Sequence, residues 1–165
     1  MITIRPLKEK DFKLMHRWLN YDHVIKWWEP GPSFEDVEKK YSERIKEDTK
    51  IHVCIIENDG LDIGMIQYYL ETDKVYELDD IACAIDLFIG EKEMLYKGLG
   101  VQAIKHCITK LIVPKYNPVY ICIDPDETNE AAIKAYQKVG FRSVSIGICR
   151  DCGTHNTNYM KMRIR

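Results

Sequence analysis

Apolar and polar positions along this chain alternate in two periods, one near two residues and one near three and a half. Ile2-Thr3-Ile4-Arg5 has the short period of a strand, which Pro6 ends. From Glu9 to Leu19 the long period takes over, with Phe12, Met15 and Leu19 at helical spacing and Trp18 beside them. Trp27-Trp28-Glu29-Pro30-Gly31-Pro32 predicts a rigid turn carrying two aromatic plates. Ser33 with Asp36 three residues on predicts an N-cap and a second helix reaching about Lys46. Strands follow at Ile51–Glu57 and Ile63–Leu70, joined by the hairpin turn Asn58-Asp59-Gly60, and then a mostly apolar run Ile81–Ile89. Val101, Ile104, Ile108 and Leu111 form the stripe of a helix running to Ile112. Val119–Ile123 reads as a buried strand, and Ala132, Tyr136 and Val139 mark a last helix face ending at Gly140. Ser143–Ile148 and Tyr159–Ile164 read as closing strands.

That order, strand, two helices, three strands, helix, strand, helix, two strands, favours an α/β layer structure with a mixed sheet. At 165 residues we expect a single domain, 1–165, with one substantial core. A formal net charge of −2 offers no basic field for nucleic acid, so none is expected as a partner. No apolar run is long enough to cross a bilayer, and Met1-Ile2-Thr3-Ile4-Arg5-Pro6 lacks a signal-peptide core, so a cytoplasmic protein without membrane contact is expected, as monomer or homodimer. Cys54, Cys83, Cys107 and Cys122 lie in apolar runs, where a free thiol acts as a small hydrophobe. Cys149 and Cys152 form a lone C-x-x-C with His155 three residues on. Without a second pair this is a weak metal signal, and the expectation is reduced thiols and no metal.

The densest chemistry lies at Leu95-Tyr96-Lys97-Gly98-Leu99-Gly100, at the mouth of the Val101–Ile112 helix. The first amides of a helix have no internal partners and the dipole's positive end points outward, so a glycine-rich entry is a ready phosphate cradle. An ordinary Gly-rich helix entry is the plain alternative. Downstream comes Asn129-Glu130-Ala131-Ala132-Ile133-Lys134-Ala135-Tyr136-Gln137-Lys138-Val139-Gly140-Phe141. With Trp18-Leu19-Asn20, Trp27-Trp28, Ile63-Gly64, Ile85-Asp86 and Asp124-Pro125 in the same order, these segments make nearly the whole chain resemble the GNAT superfamily of N-acetyltransferases, and within it the aminoglycoside 6′-N-acetyltransferases.

The resemblance implies the GNAT fold: a single mixed, mostly antiparallel central sheet, splayed at the cofactor site and flanked by about four helices. It implies acetyl-CoA as cosubstrate, held by Leu87, Phe88, Ile89, Tyr96, Lys97, Gly98, Leu99, Gly100, Val101, Asn129 and Tyr136. The family usually carries Gln or Arg where this chain has Leu95, so backbone amides are left to hold the diphosphate. Asn129 is equally a common N-cap. Tyr136 matches a tyrosine that donates to the departing thiolate, although a core tyrosine on an amphipathic helix has the same spacing.

Asp86 stands in an apolar strand, where a carboxylate needs a partner. An ammonium cannot attack a thioester until it loses a proton, and a carboxylate that binds it and takes that proton meets both needs. The resemblance gives Asp86 this general-base role and gives Asp124 a grip on substrate amines. A structural salt bridge, or an Asp-Pro turn, is the bland reading of each. Glu71, Asp73, Glu77, Asp79 and Asp80 stand against the single Lys74, a run that would steer a polycation, or simply be a solvated face. Trp27, Trp28 and Asp80 complete the expected acceptor site, with Asp151 on the late loop as an open candidate. The expected acceptor is a cationic amine, an aminoglycoside in the first instance. A polyamine, a siderophore precursor or a peptide N-terminus would use the same donor site, and a noncatalytic CoA-binding module is the reading from another class.

Overall fold

The computed structural model describes residues 1–28, 31–150 and 152–165. Glu29, Pro30 and Asp151 lie outside the described residues, and with them part of the aromatic turn and one acceptor-site candidate.

Seven strands form one sheet in the order β1-β2-β3-β4-β5-β7-β6. They are β1 Ile2–Pro6, β2 His52–Asn58, β3 Leu61–Glu71, β4 Ala82–Ile89, β5 Tyr120–Ile123, β6 Arg142–Ile148 and β7 Asn156–Arg163. Among the described residues only β4 and β5 run parallel. A parallel pair needs a crossover, and the helix α4 (Leu99–Cys107) supplies it. The remaining helices are α1 Phe12–Leu19, α2 Asp22–Ile25, α3 Phe34–Arg44, α5 Val113–Tyr116 and α6 Glu130–Val139. This is the mixed, mostly antiparallel α/β fold expected from the sequence, with α2 and α5 as short additions.

Local chemistry accounts for most element ends. Ser33 Oγ accepts from Asp36 N at 3.1 Å while Asp36 Oδ2 accepts from Ser33 N at 3.1 Å, the reciprocal box read from the sequence. Asn129 Oδ1 accepts from Ala132 N at 3.2 Å and opens α6. The helix from Leu99 does not stop at Ile112; it widens into a π-helical turn, Ile108–Ile112, and resumes as α5. Pro114 has no N–H to give the preceding turn, so the widened ladder forms where the regular one would be broken.

Two cores sandwich the sheet. On one face Ile56, Ile66, Cys83 and Ile85 pack under Ala103, Ile104 and Cys107 of α4. On the other, Ile55 and Met65 pack under Phe12, Met15 and Trp18 of α1 and Val37 and Tyr41 of α3. A third cluster, around Tyr76, Ala84, Cys122 and Tyr159, fills the β4–β5–β7 end. The four cysteines expected in the core are all buried. Among the described residues, no helix is long and apolar enough to cross a membrane.

The loop leaving β4 is bolted to α1. Trp18 Nε1 donates to Glu91 Oε1 at 2.8 Å, and Arg17 Nη2 donates to the same oxygen at 3.0 Å. Gly90 makes this possible: a Cβ there would lie 2.4 Å from the Trp18 ring, which is fully buried. Gly90→Ala is therefore expected to lower stability by about 1–3 kcal/mol through overpacking. The measurement is the urea midpoint at constant slope. An unchanged midpoint would mean that Trp18 has room to move.

Candidate active site

The site begins where the sheet comes apart. β4 and β5 pair only at Ala82, Ala84 and the residue between, against Tyr120 to Cys122. Beyond that β4 continues to Ile89, while β5 stops at Ile123, followed by Asp124 and Pro125. Extending the register of Ala84 opposite Cys122 by two residues sets Asp86 level with Asp124 across the gap. Gly90 N bonds to Ile63 O on the β3 side, and Val119 N bonds to Ile81 O on the β5 side. The period of two then turns the main chain of Ile85, Leu87 and Ile89 toward the gap. His23 Nε2 lies 3.1 Å from the Ile89 carbonyl oxygen at the end of this edge.

On the α4 face, the loop before α4 is a cradle of amides. Tyr96 (φ 60°) and Gly98 (φ 74°) both adopt left-handed backbone, an alternation that turns successive N–H groups inward. Gly98 is the N-cap of α4, and the first amide of the helix to find a carbonyl is Gln102 N, on Gly98 O at 3.2 Å. The N–H groups of Leu99, Gly100 and Val101 thus lack intrahelical acceptors. Gly98 is required by its angle, since nothing lies within 4 Å of where its Cβ would stand. A Cβ at Gly100 would make only an ordinary contact of 3.8 Å, with Leu87 Cδ1, which ties the cradle to the open seam. Tyr96 and Lys97 themselves are exposed. Such a cradle fits a diphosphate.

On the opposite face, Asp86 is half-buried and held in a chain. Arg44 Nη1 donates to Gln67 Oε1 at 2.8 Å, and Gln67 Nε2 donates to Asp86 Oδ2 at 2.7 Å. Arg44 fixes the Gln67 amide so that its NH₂ end faces the carboxylate. Phe88, next on the same face of β4, packs edge-on against Trp28 with ring centroids 5.2 Å apart. Trp28 Nε1 is buried and has no hydrogen-bond partner among the described residues. Trp27 points outward, with Lys26 Nζ 4.5 Å from its ring centroid.

Tyr136 lies on α6, packed against the α4-side core with its ring 6.2 Å from that of Phe141. Burial, and then the carboxylates of Asp86 and Asp124, push its phenol well above the ordinary tyrosine range.

The acidic run splits. Arg150 Nη2 lies 3.7 Å from Glu71 Oε2 and 4.0 Å from Asp124 Oδ2, and Nη1 pairs with Asp73. The guanidinium also sits 5.5 Å over the Tyr76 ring and 5.3 Å over Tyr159. A turn at Lys74–Tyr76 carries the rest of the run away, held by Lys161 Nζ on the carbonyls of Tyr76 (2.7 Å) and Glu77 (2.9 Å). Asp80 is exposed, accepts from its own neighbour Ile81 N at 2.7 Å, and stands at the far end of β4 from Asp86. At ~3.3 Å per residue that is about 20 Å away. The structure thus sets Asp86, Asp124 and Leu87 along the seam with Trp28 against the neighbouring Phe88, keeps Tyr136 on α6 beside the α4-side core, and leaves Asp80 at the other end of β4 and Trp27 exposed. Sequence reasoning missed Gln67, Arg44, Tyr76 and Arg150. The polar Gln67 inside an apolar strand was the one visible signal among them.

Comparison with known proteins follows this geometry. A family model described as an acetyltransferase (GNAT) domain matches residues 8–147. The aminoglycoside N(6′)-acetyltransferase type 1 of Klebsiella pneumoniae is 28% identical over 148 residues, covering 85% of this chain and 73% of that protein. The spermidine N(1)-acetyltransferase of Escherichia coli K12 is 26% identical over 143 residues, covering 85% and 72%. The crystal structure of aminoglycoside acetyltransferase AAC(6′)-Ib in complex with coenzyme A and kanamycin superposes with a TM-score of 0.83 at 25% identity, over 99% of this chain and 95% of that one.

Proposed function

The chain belongs to the GNAT acetyltransferase family, whose acyl donor is acetyl-CoA, and from that premise we propose that it acetylates a primary amine of a polycationic amino sugar, the 6′-amine of an aminoglycoside. The observation that carries this reading is the level placement of Asp86 and Asp124 across the open seam, with an aromatic wall of Trp28 and Phe88 on the Asp86 side. Two carboxylates grip an acceptor with several ammonium groups, and the aromatic wall meets the apolar face of a sugar ring.

In this reading the amides at the mouth of α4 hold the diphosphate, and Asn129, whose Oδ1 caps α6, contributes a contact to the same ligand. When bound, acetyl-CoA supplies a thioester. Asp86 binds the acceptor ammonium and takes one proton from it, which frees the lone pair for attack on the acyl carbon. Leu87 N–H stabilises charge growing on the acyl oxygen as the new C–N bond forms and the C–S bond breaks. Tyr136 O–H donates to the departing sulfur. A thiol ionises near ~8.5, well below this phenol, so Tyr136 stabilises the thiolate by a hydrogen bond while the second amine proton finally neutralises it.

A second reading, a linear polyamine acceptor, is favoured by the acidic trio Glu71, Asp73 and Asp124 and by the spermidine-acetylating relative. Thiol release from acetyl-CoA, measured with kanamycin and with spermidine as acceptors, separates the two. Turnover of kanamycin at lower KM is the expected result. Turnover of spermidine alone would overturn the aminoglycoside assignment.

Arg150 sits where an acceptor ammonium would bind, so it competes for the same carboxylates. Arg150→Ala is expected to lower the KM for a polycationic acceptor by roughly five-fold, about the 1 kcal/mol that a partly exposed ion pair is worth, with kcat little changed. A raised KM would instead make Arg150 a support of the site.

A further inference from the structure

The hairpin tip between β6 and β7 carries a donor set that the reaction above does not use. Its last ladder pair is Ile148 with Asn156, and the loop between them returns on itself through Cys149 N to His155 O at 2.8 Å and Gly153 N to Cys149 O at 2.9 Å. Gly153, at φ 66°, allows the reversal. The result brings Cys149 Sγ, Cys152 Sγ and a ring nitrogen of His155 within 4.8 Å of one another. The Cys152 Sγ to His155 Nδ1 distance is 3.2 Å. A tetrahedral ion with bonds of ~2.3 Å to sulfur and ~2.0 Å to nitrogen spaces its ligand atoms about 3.5–3.8 Å apart, so the three donors need only small adjustments to close on one.

We propose that Cys149, Cys152 and His155 form a binding site for a single zinc-like divalent ion, with the fourth position open to water.

Two further observations fit a metal ligand set better than a pair of idle thiols. His155 directs its other nitrogen, Nε2, toward Asp126 Oδ2 at 3.8 Å, and a carboxylate behind the outer nitrogen orients a ligating imidazole. Asp126 is in turn held by Thr128, whose N and Oγ1 donate to its Oδ1 at 2.8 and 2.6 Å. Thr154 Oγ1 donates to Cys152 Sγ at 3.2 Å, the kind of hydrogen bond that steadies a sulfur ligand. The C-x-x-C alone did not justify a metal. The loop's reversal turns the nearby His155 onto the two thiols, and the Asp126 carboxylate arrives through the closure of the hairpin onto the loop after β5. The ion also has a structural consequence, because Arg150 lies between the first two ligands and its guanidinium reaches Glu71, Asp73 and Asp124. Closing the tip on a metal fixes the root of that side chain.

The test uses the reduced, metal-free 165-residue chain titrated with Co²⁺ and then Zn²⁺. One cobalt per chain is expected, with the thiolate-to-cobalt charge-transfer band and the visible absorption of a tetrahedral site, both displaced by one equivalent of zinc. Cys152→Ser should abolish the band, His155→Gln should weaken it, and Asp126→Asn should lower affinity about 10- to 100-fold, as loss of an outer carboxylate does. Cys152 is exposed and none of the loop's described residues is buried, so the serine variant is expected to fold. Failure of micromolar cobalt to bind would overturn the proposal. So would a band that survives Cys152→Ser, or a Cys149–Cys152 disulfide that persists in glutathione buffer with zinc present.

Discussion

Asp86→Asn is expected to cut kcat/KM by about 10²–10⁴-fold, the range for removing a general base. The asparagine keeps the volume and can still accept from Gln67 Nε2, so the fold and the Gln67–Arg44 chain should survive. What is lost is the group that unloads the acceptor. An alkylammonium of lysine type deprotonates near ~10.4, so the variant's rate should climb with pH as solvent does the work of Asp86. Thiol-release rates between neutral and alkaline pH check this. Equal fractional loss at every pH would point to binding alone. A rate close to that of the unmodified enzyme would remove Asp86 from the chemistry.

Tyr136→Phe should lower kcat by about 10²-fold, the cost of losing one well-placed donor to developing charge, with little change in the KM for acetyl-CoA. The defect should shrink with a thioester whose thiol is more acidic, because a better leaving group needs less help. The raised phenol adds a check on sign. Burial and the carboxylates of Asp86 and Asp124 favour the protonated hydroxyl, so it remains a donor as pH passes the ordinary tyrosine value near ~10. The enzyme should therefore show no drop in kcat assignable to tyrosine ionisation there. A drop would mean that the hydroxyl is not held as described.

Much of this was legible beforehand, and the reasons are local. The Ser33–Asp36 box, the Asn58–Gly60 turn and the Asn129 cap are each decided by a few neighbouring residues, and each stands where the pattern put it. Asp86 and Asp124 could be singled out by type and by resemblance, but their level placement depends on the β4–β5 register, which no local pattern contains. Asp80 shows the opposite case. A run of acids reads as one charged loop, yet the turn at Lys74–Tyr76 sends its two ends to different places. Arg150 was invisible for a similar reason: its partners at 71, 73 and 124 are remote in sequence and meet it only once the hairpin folds over the sheet end. The π-helical turn came from a proline that ends most helices and here is accommodated by widening one.

The gap between β4 and β5 has an evolutionary corollary. On the function proposed above, the coenzyme would be recognised by α4 and α6 on one side of the sheet, and the acceptor met by Asp86 with Phe88 and Trp28 on the other. Side chains on the acceptor face can then drift without disturbing the diphosphate cradle, since the sheet separates the two everywhere except along the β4–β5 seam. Divergence toward new amines then requires neither a new scaffold nor a new donor, which accounts for antibiotic- and polyamine-modifying enzymes both counting among this chain's relatives.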